Sequence, residues 1–272
     1  MKHLNEDEDL ELLMDDLLRI CGYDFREYTM ASLKRRFRRI MDLGGFKNVA
    51  EMRSRISTDP VYVRYVVEEI TVNVTEMFRD PLFFKTLRTE VIPNVIAKPF
   101  IRVWHAGCST GEEVYSMAIL LKEAGVLHKS IIYATDIHQG VVEKAKKGIF
   151  PLSQMQLYSQ NYLASGGVED FSSYYTANYD YAVFDKALAE RMVFSTHNLV
   201  SDGSFNSFDI VICRNVLIYF TRELQFKVFN LFDQSLENLG YLVLGSRETV
   251  SFSGIHTRYK RLGKEKVWRK MA

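Results

Sequence analysis

Leu10, Leu13, Leu17 and Leu18 recur at helical spacing behind a first turn crowded with Asp and Glu, and Gly22 follows them. That period predicts an amphipathic helix with its acids at the positive end of the dipole. A second helix is predicted over about residues 30–43, with Met30, Leu33, Phe37, Ile40 and Met41 as its apolar stripe and Gly44-Gly45 as its stop. Two shorter helices are predicted over about residues 49–56 and 61–70, and Asp80-Pro81 reads as the N-cap and first position of another.

From Phe100 the texture changes. Short apolar runs at 101–105, 131–135, 192–195, 208–213 and 241–244 alternate with helical patterns at about 112–124, up to 147 and 221–238. Strands alternating with helices of this length predict an α/β domain with a parallel, doubly wound sheet. The alternation breaks between about 150 and 191, where Tyr158, Tyr162, Phe171, Tyr174, Tyr175, Tyr179, Tyr181 and Phe184 stand among Ser, Asn and Gly. This stretch reads as a helix followed by a small antiparallel β-subdomain inserted into the sheet domain. The expected organisation is an all-helical domain over residues 1–90 and a sheet domain over 91–272.

Composition narrows the partners. With a formal charge of +1, the chain has no global bias toward nucleic acid or membrane, so charge-driven recognition must be local. Cys21, Cys108 and Cys213 have no metal-ligand spacing and read as reduced packing residues, with no metal site. The N-terminus carries Lys2, His3, Glu6, Asp7 and Glu8 instead of a secretory signal, and no apolar run reaches the ~20 residues of a membrane span. The expectation is a cytoplasmic protein without membrane insertion.

The strongest local signal is the strand-turn-helix Val103-Trp104-His105-Ala106-Gly107-Cys108-Ser109-Thr110-Gly111-Glu112-Glu113. Glycines at its turn let a cofactor approach the backbone closely. A phosphate loop would need Gly-Lys-Ser/Thr, and the lysine is missing. Glu112 and Glu113 would repel a pyrophosphate but suit a cationic, hydroxyl-bearing ligand such as S-adenosylmethionine; the alternative is that they only complement the helix dipole. Asp136 ends the second strand, where an acid either grips ribose hydroxyls or caps the next helix. Asn198, after the strand at 192–195, either bonds an adenine edge or closes a polar turn. Gly107, Asp136, Asn198 and Asn215 are expected to converge outside the carboxyl ends of the strands.

Five segments taken in order resemble the CheR family of chemotaxis receptor methyltransferases. They are Ile70-Thr71-Val72-Asn73-Val74-Thr75-Glu76-Met77-Phe78-Arg79-Asp80, Ala106 to Glu113, Ala134-Thr135-Asp136-Ile137, His197-Asn198-Leu199, and Phe208 through Cys213-Arg214-Asn215 to Phe220. The resemblance covers nearly the whole chain. It implies a Rossmann-like methyltransferase domain, S-adenosylmethionine as cofactor with S-adenosylhomocysteine as product, and esterification of receptor glutamates. It implies cofactor contacts from Asn73, Thr75, Arg79, Glu113, Asp136, Asn198, Leu199, Arg214 and Asn215. Two departures are visible: Gly245-Ser246-Arg247-Glu248 replaces the more usual Gly-His-Ser-Glu, and His105 replaces a small residue.

A glutamate acceptor has an ordinary pKa near 4.3. It is therefore ionised at neutral pH and needs no general base, in keeping with the absence of an obvious His-carboxylate dyad in the sequence. Arg79 is expected to orient that carboxylate, and Tyr219 either lines the transfer channel or packs after a strand. Lys34, Arg35, Arg36, Arg38 and Arg39 crowd the second helix, with Arg35, Arg38 and Arg39 on one face. They form either a solvated face or an electrostatic dock for the acidic helical region of a chemoreceptor. Nucleic acid fits less well with the neutral overall charge. In some members of the family the β-subdomain also holds a receptor C-terminal tail by strand addition. A monomer is expected. The alternative readings are an adaptor that binds cofactor without turnover and a methyltransferase acting on a receptor outside chemotaxis.

Overall fold

The computed structural model describes residues 6–71 and 74–272. Contacts divide the chain into two units, Met1–Asn73 with Tyr219–Lys227 and Val74–Ile218 with Val228–Ala272. Among the described residues no helix is long and apolar enough to cross a membrane.

The first unit is built from α1 (Glu6–Cys21), α2 (Met30–Gly44), α3 (Val49–Thr58) and α4 (Pro60–Thr71). Its core holds most of the two predicted stripes, Leu10, Leu13, Leu17, Leu33, Phe37 and Ile40, joined by Met52, Ile56, Val66 and Ile70, while Leu18, Met30 and Met41 are only partly buried. Several helix ends have a local cause. Gly45 closes α2 at φ 68° in the left-handed region that glycine tolerates. Asn48 accepts the N–H of Glu51 to start α3, and Asp59 accepts those of Val61 and Tyr62 to start α4. A piece from far along the chain completes this unit. Thr29 donates its N–H to the Tyr219 carbonyl and Thr221 to that of Glu27. Between them Tyr28 and Phe220 meet edge-to-face with centroids 5.0 Å apart.

The second unit opens with α5 (Pro81–Thr86), which runs through a π-turn at Leu87–Val91 into α6 (Ile92–Val95). Phe78, Phe83, Phe84, Leu87 and Val91 bury in one cluster with Ile101, Val103 and Ile119. Residues 74–90 therefore belong with the sheet and not with the helical domain expected over 1–90, because their apolar side chains share the sheet's core.

The sheet follows as β1 (Ile101–Ala106), α7 (Glu112–Glu123), β2 (Ser130–Asp136) and α8 (Gln139–Lys147). Next come β3 (Ile149–Pro151), α9 (Met155–Ala164), β4 (Tyr175–Asn178), β5 (Tyr181–Phe184), α10 (Lys186–Ala189), β6 (Met192–Thr196) and β7 (Phe208–Cys213). The chain ends with α11 (Arg222–Ser235), β8 (Leu236–Leu244), β9 (Tyr259–Leu262) and β10 (Val267–Lys270). The large sheet has the order β6-β2-β1-β7-β8-β10-β9. Its first five strands are parallel, and β10 pairs antiparallel with both β8 and β9. Strands β1 and β7 are buried along almost their whole length, as expected of strands covered on both faces. The irregular stretch forms a separate antiparallel sheet, β3-β5-β4, with α9 lying between β3 and β4, so one of its strands precedes the helix expected to come first.

Candidate functional site

Parallel strands end on the same edge. The register sets Ala106 beside Thr135, Asp136 beside Thr196, and Cys213 beside Leu244. The turns carrying Gly107, His197-Asn198 and Arg214-Asn215 therefore leave one edge of the sheet, with Asp136 at the strand end between them, which is where open α/β sheets hold their ligands.

The turn after β1 is tight for stated reasons. Gly107 and Cys108 both donate to the Thr135 carbonyl, at 2.8 and 2.9 Å. Gly107 has φ 83°, and a Cβ there would lie 2.5 Å from Cγ2 of Val216. Gly111 has φ 97°, and its Cβ would meet Ala145 at 2.9 Å. Neither position admits a side chain without movement of its neighbour. Ser109 also has a positive φ, 50°, and its N–H donates to Oδ2 of Asp136 at 2.9 Å. Oδ1 of Asp136 accepts from the N–H of His138. The carboxylate thus braces the glycine turn and fixes the backbone of His138, which itself caps the next helix, and its remaining lone pairs are available to hydroxyls. Burial raises its pKa, while the Ser109 and His138 amides pull it back.

The two adjacent glutamates at the head of α7 part company. Glu112 turns inward and is 6% exposed, with the Thr110 hydroxyl donating to it at 2.6 Å. Burial raises its pKa to about 7. Glu113 turns the other way, accepting from Nη1 of Arg214 at 2.7 Å and contacting Nδ1 of His105 at 3.1 Å. Burial alone would raise its pKa, but the Arg214 guanidinium together with His105 outweighs this and holds it at about 2. The second arm of Arg214 reaches Asp80 at 2.5 Å, and its guanidinium lies 4.2 Å from the centre of the Phe83 ring.

The expected N-cap at Asp80 takes another form. Asp80 precedes α5 at φ 58°, but its side chain makes no capping bond and its Oδ2 pairs with Arg214 instead. Two carboxylates around one guanidinium leave a net charge of −1. Two buried polar atoms, Oγ of Ser109 in the glycine turn and Nε2 of His105 at the end of β1, have no hydrogen-bond partner among the described residues.

The other sequence candidates are distributed as follows. Asn198 closes a turn: its Oδ1 accepts from Val200, and its N–H donates to Asp202. Leu199 is half-buried in the same turn. Thr75 and Arg79 are half-buried in the segment before α5, with Arg79 donating to the Val74 carbonyl at 3.3 Å. Asn73 lies outside the described residues. Tyr219 and the cations of α2 belong to the first unit. There Arg35, Arg38 and Arg39, with Lys34, line a concavity of about 600 Å³. The face is partly neutralised from other helices, since Lys34 pairs with Asp7 and Arg39 with Glu69. Sequence reasoning passed over Glu248, Asp80 and Ser109 as site residues. An isolated acid three positions after Gly245, where β8 ends, was the available signal for the first of them.

Comparison with known proteins gives this geometry a family. The CheR methyltransferase all-alpha domain matches residues 8–71, and the CheR methyltransferase SAM binding domain matches residues 73–267. Cher3 of Pseudomonas putida, named as a methyltransferase, is 43% identical over 267 residues, covering 98% of each chain. Chemotaxis protein methyltransferase 1 of Pseudomonas aeruginosa is 31% identical over 259 residues, 89% of this chain and 90% of its own. A chemotaxis protein methyltransferase of Listeria innocua is 30% identical over 232 residues, 84% and 85% of the two chains. The residues present fit S-adenosylmethionine. Asp136 offers acceptors, the group around Arg214 has a net negative charge, and Ser109 and His105 hold unpartnered polar atoms. A site of this kind at the carboxyl edge of a doubly wound sheet, in a chain matched along its length by both domains, places this protein in the CheR methyltransferase family.

Proposed function

We propose that this protein moves the methyl group of S-adenosylmethionine onto glutamate side chains in the cytoplasmic helical region of a chemoreceptor-type protein, forming methyl esters. The observation that carries this reading is the exposed cationic face of α2, where Arg35 and Arg38 project beside a concavity, in a family whose named relatives are chemotaxis protein methyltransferases. Clustered glutamates on a receptor helix are the chemical complement of that face.

The cofactor supplies an electrophilic methyl group on a cationic sulfur. Asp136 would accept hydrogen bonds from its ribose, and the negatively charged group of Glu113, Arg214 and Asp80 would favour its cationic end. The acceptor carboxylate is already ionised at neutral pH, so no residue of this chain needs to remove a proton. Attack brings opposite charges together, and catalysis then rests on in-line placement and exclusion of water. Arg79 would aim the carboxylate through its planar guanidinium, and Tyr219 would confine a reactant.

The deciding assay is transfer from methyl-labelled S-adenosylmethionine to a receptor cytoplasmic fragment. Base-labile label on glutamate is expected, with lower turnover in Arg79→Ala. Binding of S-adenosylhomocysteine without any incorporation would instead identify a cofactor-binding adaptor, and unchanged turnover and affinity in Arg79→Ala would remove that residue from the mechanism.

A further inference from the structure

Glu248 is a buried acid with no part in the chemistry above. It lies just beyond β8, 4% exposed, and among the described residues no cation pairs with it. Four backbone amides point at its carboxylate instead. Oε1 accepts from Val216 at 2.9 Å and Leu217 at 2.8 Å, while Oε2 accepts from Asn215 at 3.1 Å and Gly245 at 2.6 Å. A carboxylate has roughly four lone-pair positions, so its capacity is filled by these donors.

The reason lies in the path of the chain. After Cys213 ends β7, Asn215 adopts φ 61°, and the N–H groups of residues 215–217 come to face one side. Successive amides turned the same way make a concavity that attracts an anion. Gly245 must come close to complete it: a Cβ there would lie 2.8 Å from both the Asn215 nitrogen and Oε2 of Glu248.

This loop carries two parts of the cofactor site. Arg214 immediately precedes it, with its side chain held between Glu113 and Asp80. Val216 covers Gly107, packed where a Cβ on that glycine would be. We infer that Glu248 is a positioning residue for cofactor binding, its carboxylate fixing the backbone of Asn215–Leu217 so that Arg214 and Val216 are held against the glycine turn. The inference rests on the family's cofactor and not on the identity of the methyl acceptor.

The test uses the full chain and S-adenosylhomocysteine. Glu248→Gln keeps the size but turns an NH2 toward two amide donors, so the loop loses its anchor. Affinity measured by calorimetry is expected to fall about tenfold or more. Asp233→Asn serves as the control, since Asp233 is a buried acid that ties Tyr259 and Arg258 far from the site in sequence and function. It should lower the melting temperature of the unliganded protein while holding affinity within about twofold of wild type. If Glu248→Gln does not fold, Gly245→Ala displaces the same carboxylate from the same loop and carries the same expectation. The inference is overturned if the folded variant binds within about twofold of wild type, or if Asp233→Asn loses as much affinity as Glu248→Gln.

Discussion

Replacing Glu112 by glutamine should stabilise the protein at alkaline pH and do little at acidic pH. Glu112 sits at the first position of α7, 6% exposed, with one hydroxyl hydrogen bond from Thr110 and no ion pair among the described residues. Burial lifts its pKa from 4.5 to about 7, the Thr110 bond opposing only in part. The sign follows from proton counting. Between pH 4.5 and 7 the folded protein holds the proton that the unfolded chain has released, so this group's contribution to stability declines as pH rises through that window. Above 7 the folded protein carries a buried, unpaired charge in full. A shift of that size corresponds to roughly 3 kcal/mol. Glutamine is neutral at every pH and can still accept from Thr110. Urea unfolding followed by tryptophan fluorescence is the assay, because Trp104 and Trp268 both lie in the sheet unit that contains Glu112. The difference between variant and wild type should move by about 2.5 kcal/mol in favour of glutamine between pH 5 and pH 8. Other titrating groups are common to both proteins and cancel in that comparison. A difference that stays the same at the two pH values would refute the reasoning.

Two further outcomes are expected. Arg214→Met strands Glu113 beside a vacated partner and should destabilise the protein by about 3–5 kcal/mol at pH 7. Because Glu113 is held at about 2, the stability it contributes is present above 4.5 and lost as pH falls through 2. The penalty measured by urea unfolding should therefore shrink at pH 3. On α2, Arg35→Glu combined with Arg38→Glu should raise the KM for a receptor fragment about tenfold at low salt, with the effect fading as salt is added. Unchanged S-adenosylhomocysteine affinity in the same variant would confirm that the cofactor site is intact.

Much of the scaffold was legible because its determinants are local. The stripes Leu10-Leu13-Leu17 and Leu33-Phe37-Ile40 repeat within one helical turn, and they are the buried faces of α1 and α2. The run from Phe208 to Cys213 had to be a covered strand, and the glycine turn before α7 had to approach something closely. The missing lysine excluded a phosphate loop without any coordinates. The hairpin of β9 and β10 was less visible, since four-residue strands rich in Lys and Arg show no clear alternation.

What the tertiary structure alone decided are the pairings between distant positions. Glu112 and Glu113 are chemically identical neighbours in the sequence, and only the packing of α7 turns one into the core and gives the other to Arg214, 101 residues away. Asp80 looked like a helix cap on local grounds, yet its partner is 134 residues further along the chain. Tyr219 follows a strand of the sheet domain but joins the helical unit through Thr29. Glu248 has no role legible in the sequence until four amides from two separate turns are seen to meet on it. Periodicity and turn chemistry act over a few residues and can be read directly from the chain. The ion pairs and buried acceptors that shape the site depend on where the backbone returns, which is fixed only when the cores form.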